Sequence, residues 1–361
     1  MAIGITRVAY AVPSQRLTHD ELAARFGAEQ MEKVAQSTGI WERRVAPPGM
    51  CASDLAAHAA RTLFEEGGID PASIDLLIFA TQTPDYLLPS TACILQNRLR
   101  VPTTAAAFDI NLGCSQYVYS LGVATGMLSA KMANRALVLT GDTVSRILNP
   151  GDRAVVPLFG DAGTATILEP VRDGAGFLAF DFGTDGAGAE ALIWPASGLR
   201  LRHSPETAVE KADKTGSIRS QNDMYMDGAA VFMFTMRTIP QTVARTLEKA
   251  GVTINDVDLF VFHQASQFIV DTAVRRLKIP REKVHMKLAD LGNSGGSTVG
   301  VCLADAVRSG VLKPGMRVLL SAFGVGLSWA SAYCVWDDAT AFALELVFEA
   351  VSASTTESGT Q

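Results

Sequence analysis

The chain carries the same order of structural signals twice, once in each half. Residues 63–67 have the pattern of a helix end closed by a glycine, and residues 74–79 that of a buried strand after a short loop. Residues 247–251 and 257–262 repeat this arrangement. The repetition predicts two related α/β halves, with a chance likeness between two common units as the alternative.

The repeated order extends further along both halves. Gly113 precedes a helix-like run at 116–132, which leads to an apolar strand at 136–140. Gly292 opens a glycine-rich, helix-like run that leads to a strand at 317–321. Because strands alternate with helices, we expect mainly parallel sheets that are covered on both faces.

Sequence composition divides the chain into four parts. We predict an N-terminal half over residues 1–175, a glycine-rich and polar connecting loop or cap over 176–222, and a C-terminal half over 223–336. Residues 337–361 are a C-terminal extension, and its last residues have the composition of a partly disordered tail.

Charge, hydropathy and cysteine content exclude several classes of protein. The formal net charge of -6 argues against nucleic acid as a partner, and no apolar run reaches the roughly 18 residues of a membrane span. The five cysteines are scattered and never form a CxxC pair, which argues against a disulfide framework or a zinc site. Since residues 1–16 lack the apolar core of a signal peptide, we predict a soluble cytoplasmic protein.

Cys114 is the strongest candidate for a catalytic residue. It follows a glycine at the point where an apolar strand (105–110) gives way to the helix-like run. Unpaired backbone N–H groups and the positive end of the helix dipole favour a thiolate, so we expect a pKa below the ordinary value of about 8.5. The alternative is a small buried side chain, as most free cysteines are.

His263 and Asn293 occupy the matching places in the second half. His263 directly follows a strand, where the first half has Ala80, and Asn293 stands in the position of Cys114. Because ligands of open α/β sheets bind at the carboxyl ends of strands, we expect the three side chains to meet there. Cysteine, histidine and asparagine can serve as nucleophile, proton carrier or hydrogen-bond donor, and electrophilic stabiliser. A structural histidine and a helix-capping asparagine are the alternatives.

Other catalytic motifs fit less well. Residues 292–296 match the G-x-S-x-G pattern of serine hydrolases, but such an enzyme needs a later histidine, and the last one is His285. The sequence has no P-loop, no intact G-x-G-x-x-G and no H-E-x-x-H motif. We therefore predict neither a metal ion nor a redox cofactor.

The candidate residues and their surroundings resemble β-ketoacyl-acyl-carrier-protein synthase III, a family of thiolase-fold condensing enzymes. The resemblance covers residues 5–336, and the matching stretches are 37–44, 88–93, 108–114, 152–153, 159–163, 262–265, 292–294 and 322–326. A thiolase would have a second cysteine at 323–326, and elongating synthases have a second histidine at the place of Asn293. The resemblance implies a thiolase-like α/β fold, with two duplicated halves whose mixed or parallel sheets pack in an αβαβα sandwich, and a homodimer.

The resemblance also implies a decarboxylative Claisen condensation. Cys114 would attack an acyl thioester of coenzyme A or acyl carrier protein, and a malonyl thioester would supply the carbanion as CO₂ leaves. His263 and Asn293 would stabilise the enolate, and the backbone N–H groups of Cys114 and Val325 would form the oxyanion hole. The product is a β-ketoacyl thioester for fatty-acid or secondary-metabolite biosynthesis, and no cofactor is implied.

The carrier-binding and acyl-binding positions follow the family less closely. Arg153 matches the arginine that stacks on the carrier's adenine, whereas Lys33 stands where the family has an aromatic residue. Leu88 stands where a residue of the partner subunit closes the acyl pocket. Phe323 and Gly324 lie in a matching loop that is implied to bind substrate.

Two further departures leave the acyl donor open. Ala229 and Phe268 stand where the family has an asparagine and an arginine that contact the carrier. Free coenzyme A and a carrier protein are therefore equally open as donors.

Two other functions are alternative hypotheses, ranked below condensation. One is an acyltransferase that moves the acyl group from Cys114 to a hydroxyl or amine without decarboxylation. The other is a non-catalytic partner subunit. Transferase variants of the family often replace the asparagine, and non-catalytic subunits tend to lose the cysteine or histidine, but all three residues are present here.

Overall fold

The structure is a computed structural model, and residues 2–346 are described here. The helices are α1 (His19–Phe26), α2 (Ala28–Thr38), α3 (Ala52–Glu65), α4 (Thr91–Arg98), α5 (Gln116–Ser129), α6 (Gly228–Ala250), α7 (Gln267–Leu277) and α8 (Thr298–Arg308). The strands are β1 (Ile3–Pro13), β2 (Arg16–Thr18), β3 (Glu42–Arg44), β4 (Leu76–Ala80), β5 (Ala106–Ile110), β6 (Ala136–Asp142), β7 (Ala162–Pro170), β8 (Gly176–Thr184), β9 (Leu192–Ile193), β10 (Lys211–Ala212), β11 (Ile218–Arg219), β12 (Tyr225–Met226), β13 (Leu259–Phe262), β14 (Arg317–Gly324), β15 (Ser328–Val335) and β16 (Thr340–Leu346).

Four strands of the first main sheet and all four strands of the second repeat one topology. The first has the strand order β16-β1-β7-β6-β4-β5 and the second the order β13-β14-β15-β8. In the first sheet β4 is parallel to β6, β6 is antiparallel to β7, and β7 is antiparallel to β1. In the second, β13, β14, β15 and β8 follow one another with the same directions. The predicted duplication is therefore confirmed, although the sheets are mixed rather than mainly parallel.

Helices cover both sheets and also lie between them. α5 contacts β4 and β6 of the first sheet and β14 and β15 of the second, while α8 contacts β1 and β13. α3 covers the outer face of the first sheet, and α6 that of the second. Because α5 is buried between two sheets, it is apolar over most of its circumference, with Tyr117, Val118 and Leu121 fully buried. These layers form the αβαβα sandwich that the resemblance implied.

The connecting region begins later than the sequence predicts. Gly176–Thr184, assigned above to a loop or cap, is strand β8 and pairs with β15 as the counterpart of β1. The strand lies at a sheet edge and alternates between buried and exposed positions, so it lacks the continuous apolar run of a central strand. The rest of the predicted cap contains a short 3-10 helix (Gly186–Ala191) and the short strands β9 to β11.

The start of the predicted C-terminal extension belongs to the first sheet. Thr340–Leu346 forms β16, which pairs in parallel with β1 from Arg7↔Thr340 to Pro13↔Leu346. The predicted disordered tail lies outside the described residues. Among residues 2–346, none of the helices combines the length and apolar character that crossing a membrane requires.

Candidate active site

Cys114 lies between β5 and α5, two residues before the helix begins. Its side chain is buried, with 5% exposure. Burial raises the pKa of the thiol to about 12, and the negative charge of Asp142 raises it further, while the backbone N–H groups of Val325 and Cys114 oppose the rise. The lowered pKa expected from the sequence is therefore wrong in direction, because loss of hydration outweighs the two N–H groups. The free enzyme holds a protonated thiol.

This pKa is testable by alkylation. With a pKa near 12, the thiolate fraction of Cys114 rises about tenfold for each pH unit between 7 and 9. We expect the rate of Cys114 alkylation by iodoacetamide, followed by peptide mass spectrometry, to rise over this range without levelling off. The same thiol in urea-unfolded protein is the control, and its alkylation rate should begin to level off at about pH 8.5, the ordinary pKa of a cysteine. An alkylation rate that levels off below pH 8 in the native protein would contradict the raised pKa.

Two glycines allow the loop after β14 to lie against Cys114. A Cβ atom on Gly324 would lie 2.7 Å from Cβ of Cys114, and one on Gly113 would lie 1.9 Å from Cγ1 of Val325. The hydroxyls of Ser115 and Ser328 are 2.7 Å apart and tie the same two segments together. This contact brings the N–H group of Val325 to the thiol, as the implied oxyanion hole requires.

Replacing Gly113 with alanine tests that contact. The new methyl group overlaps Val325 and pushes its N–H group away from the thiol, so we expect the condensation rate to fall about a hundredfold. Gly126→Ala is the matched control in the following helix, since a Cβ there meets nothing within 4 Å. It should keep full activity and raise stability by about 0.5–1 kcal/mol. Equal activity of the two variants in a steady-state assay would refute the assignment.

His263 follows β13 and is buried against the same loop. Its ring packs edge-on against Phe323 with 5.4 Å between ring centroids, and its Nδ1 lies 2.6 Å from the Thr298 hydroxyl. Burial lowers the pKa of His263 to about 3, so the imidazole is neutral. When Thr298 donates to Nδ1, the ring proton resides on Nε2 and is available to a substrate.

Asn293 is buried in the turn before α8. Its Oδ1 accepts a hydrogen bond from the N–H group of Gly295 at 3.1 Å, which leaves its Nδ2 hydrogens free to donate. The backbone of the turn is held by two bonds, from Asn293 N–H to the Leu158 carbonyl and from Gly160 N–H to the Asn293 carbonyl. Asn293 is not the helix cap considered above, because Ser297 occupies that place.

The structure brings the three candidate residues to one place. Phe323, Gly324 and Val325 follow one another, and this short segment contacts His263 at one end and Cys114 at the other. Asn293 is linked to the same place through Asp142, as described below. The sequence motifs do not point to Thr298 or Asp142. Asp142 ends β6, so the rule that ligands bind at strand ends could have indicated it.

A cavity of about 660 Å³ opens beside Gly113 and Val325. Its apolar lining comes mainly from the loops after β4 and β5 and from the connecting region, and includes Leu112, Leu192, Trp194 and Met224. Arg146 and Asp85 contribute charged groups. The cavity is large enough to receive an acyl group attached to the adjacent thiol.

The comparison with known proteins agrees with this geometry. Residues 108–186 match the family 3-oxoacyl-[acyl-carrier-protein (ACP)] synthase III, and residues 247–336 match the C-terminal family of the same synthase. The β-ketoacyl-[acyl-carrier-protein] synthase III of Caldanaerobacter subterraneus subsp. tengcongensis is 37% identical over 336 residues, or 93% of this chain and 98% of the relative. The chain belongs to the β-ketoacyl-acyl-carrier-protein synthase III family.

Solved structures of synthase III proteins share the fold. One crystal structure of a 3-oxoacyl-(acyl-carrier-protein) synthase III is 40% identical with a TM-score of 0.91, covering 93% of this chain and all of that one. The synthase from Burkholderia xenovorans LB400 is 34% identical with a TM-score of 0.89, covering 96% and 97%. Family membership confirms the thiolase-like fold and the predicted activity: the chain is an acyltransferase that condenses an acyl thioester with a malonyl thioester.

Two of the predicted carrier residues, Arg153 and Lys33, lie on or against α2 and do not line the cavity beside Gly113. Nη1 of Arg153 lies 3.4 Å from Oε1 of Gln30 on α2, and Lys33 on the same helix is exposed and paired with Glu29 at 2.7 Å. Leu88 is 87% exposed in the loop after β4 and does not line the cavity of its own chain. Phe323 and Gly324, in contrast, are packed against His263 and Cys114.

Proposed function

We propose that Cys114, His263 and Asn293 divide the condensation between them. The observation that carries this proposal is a buried thiol and a neutral imidazole packed against the same loop, with the Asn293 turn linked to them through Asp142. His263 Nε2–H and Asn293 Nδ2–H are neutral hydrogen-bond donors. Neutral donors suit a reaction in which negative charge appears only on the substrate.

Acylation comes first. The sulfur of Cys114 attacks the carbonyl carbon of the acyl thioester, and the N–H groups of Cys114 and Val325 bind the oxyanion. The bond from carbon to the carrier's sulfur then breaks. The leaving thiolate takes the proton that Cys114 gives up, so the carrier departs as a thiol and no charge accumulates in the buried site. The acyl chain enters the cavity beside Gly113.

Decarboxylation and condensation follow on the acyl-enzyme. His263 and Asn293 donate to the thioester oxygen of the malonyl group, and loss of CO₂ leaves an enolate on that oxygen. Its carbon attacks the acyl carbonyl, the bond to Cys114 sulfur breaks, and the β-ketoacyl thioester leaves on the second carrier. The released thiolate regains a proton from solvent. The steps need only the two thioester substrates and no cofactor. We expect a cytoplasmic location, where the reducing environment keeps the Cys114 thiol from being oxidised.

The acyl donor can be identified by intact-protein mass spectrometry. The protein is incubated with matched acyl groups on coenzyme A and on acyl carrier protein, and then with a malonyl thioester. A mass gain at Cys114 that the malonyl chase removes, with a β-ketoacyl product, supports the proposal and identifies the primer and its carrier. A mass gain that survives the chase would overturn it in favour of transfer to a hydroxyl or amine.

We also propose a homodimer formed along the edge of the first sheet. β5 is the edge strand, and its residues are partly exposed although they include Phe108 and Ile110. The neighbouring loop exposes Tyr86, Leu87 and Leu88. A partner covering this edge would bury these apolar groups and bring its Leu88 to the acyl cavity of the first subunit.

Charge at Leu88 should disrupt this assembly. We expect Leu88→Asp to shift the protein toward monomer and to lower the rate with long acyl groups at least about tenfold, because a carboxylate is costly to bury. Analytical ultracentrifugation measures the first effect. Val311→Asp is the control, since Val311 is an exposed apolar residue between α8 and β14 and lines neither the loop nor the cavity. A monomeric wild-type protein would exclude the proposed dimer.

A further inference from the structure

A buried carboxylate that the reaction does not use lies behind the active site. Asp142, at the end of β6, is fully buried. Its Oδ1 accepts hydrogen bonds from the N–H group of Gln82 at 3.0 Å and from the Thr81 hydroxyl at 3.4 Å. Its Oδ2 accepts from Nε2 of Gln116 at 3.1 Å and from the N–H group of Gly296 at 2.7 Å.

These donors come from both halves of the chain, and each segment carries part of the site. Gln116 is the first residue of α5, two residues after Cys114. Gly296 lies in the turn before α8. The residue before it, Gly295, donates its N–H group to Oδ1 of Asn293 and so fixes that side chain. Asp142 therefore connects the nucleophile of the first half to the enolate-stabilising amide of the second.

The turn fits against Asp142 because it contains two glycines. A Cβ atom on Gly295 would lie 2.5 Å from Oδ2 of Asp142, and one on Gly296 would lie 2.1 Å from Nε2 of Gln116. Gly295 also has a φ of +57°, which a side chain would strain. The turn can therefore lie against the Asp142 carboxylate and the Gln116 amide because residues 295 and 296 are both glycine.

We infer that Asp142 is a positioning residue that holds the Asn293 turn and the start of the Cys114 helix at a fixed separation. Condensation needs the malonyl carbanion to form within reach of the acyl carbon on Cys114, so a small displacement between the halves lowers the rate strongly. This inference rests on the proposed function of the site. The negative charge of the Asp142 carboxylate also raises the pKa of the Cys114 thiol.

Asp142→Asn tests the inference, with Asp161→Asn as the matched control. Asparagine keeps the shape but turns an NH₂ group toward donors that need an acceptor. Asp161 is also fully buried and accepts bonds from the N–H groups of Ser145 and Ala46, at 2.9 and 2.6 Å. The two variants therefore lose a comparable buried carboxylate, but only Asp142 joins Gln116 to Gly296.

Three readouts separate positioning from a general loss of stability. In Asp142→Asn we expect kcat for malonyl decarboxylation to fall at least about tenfold relative to Asp161→Asn, with KM within about twofold. We expect Cys114 to react with iodoacetamide about threefold faster at pH 8.5, because a nearby negative charge is gone. Thermal unfolding midpoints of the two variants should be similar. Equal decarboxylation rates, or unchanged alkylation, would overturn the inference.

A second variant covers the case in which Asp142→Asn does not fold. Gln116→Leu keeps the carboxylate on the Asn293 turn but releases the start of α5, so acylation of Cys114 should fall about tenfold and more than decarboxylation does. Equal losses in both half-reactions would contradict the inference. Wild-type protein that performs neither half-reaction would refute the proposed function instead. The alkylation test needs no substrate and would still show whether the Asp142 carboxylate acts on Cys114.

Discussion

Cys114→Ala is expected to abolish the acyl-enzyme and to lower condensation at least about a thousandfold, because it removes the thiol that takes the acyl chain beside the Val325 N–H. Malonyl decarboxylation should remain measurable, since His263 and Asn293 are untouched. Intact-protein mass spectrometry and CO₂ release measure the two half-reactions separately.

Cys334→Ala is the matched control for this variant. Cys334 is another buried thiol, on β15, and it should be dispensable for both half-reactions. An acyl adduct that persists in Cys114→Ala would place the nucleophile elsewhere and refute the assignment.

Loss of either donor proposed to stabilise the enolate should impair decarboxylation and spare acylation, the opposite of what we expect for Cys114→Ala. We expect His263→Ala and Asn293→Asp each to lower malonyl decarboxylation about 10²–10³-fold, the usual effect of removing one donor to a developing oxyanion. Asn293→Asp also places a carboxylate where negative charge develops. Acylation of Cys114 should continue within a few fold, and burst-phase mass spectrometry with an acyl thioester checks it.

The control for the histidine variant is His285→Ala. His285 lies outside the site, with its Nε2 2.8 Å from Asp305, so its loss should leave both half-reactions intact. If His263→Ala instead blocks acylation as strongly as decarboxylation, His263 acts on Cys114 and the division of labour proposed here is incorrect.

Family membership and the main elements of the fold could be predicted from local patterns. A glycine that ends a helix before a buried strand is a short-range signal, and its recurrence indicated the duplication that the two sheets display. Cys114, His263 and Asn293 stood out because each follows a strand or precedes a helix. The structure packs Cys114 and His263 against residues 323–325, and Asp142 links the Asn293 turn to the start of the Cys114 helix.

The edges of the halves were harder to predict. β8 and β16 are both edge strands of the main sheets, and their side chains alternate in exposure or stay half-buried, so composition alone placed them in a loop and in an extension. Strand pairing over long sequence distances, such as Arg7 with Thr340, leaves no local pattern to detect.

Sequence alone determined the family and the duplicated α/β fold, and it singled out the three residues proposed to react, because these depend on residue types at fixed local spacings. Only the tertiary structure decided the ionisation of Cys114, since its pKa depends on burial beneath a loop more than two hundred residues away in the chain. It also decided the roles of Thr298 and Asp142. The hydrogen bonds of Asp142 join segments from opposite halves, whereas Thr298 on α8 bonds His263 after β13 within the second half. Both contacts exist only once the helices and sheets have packed together.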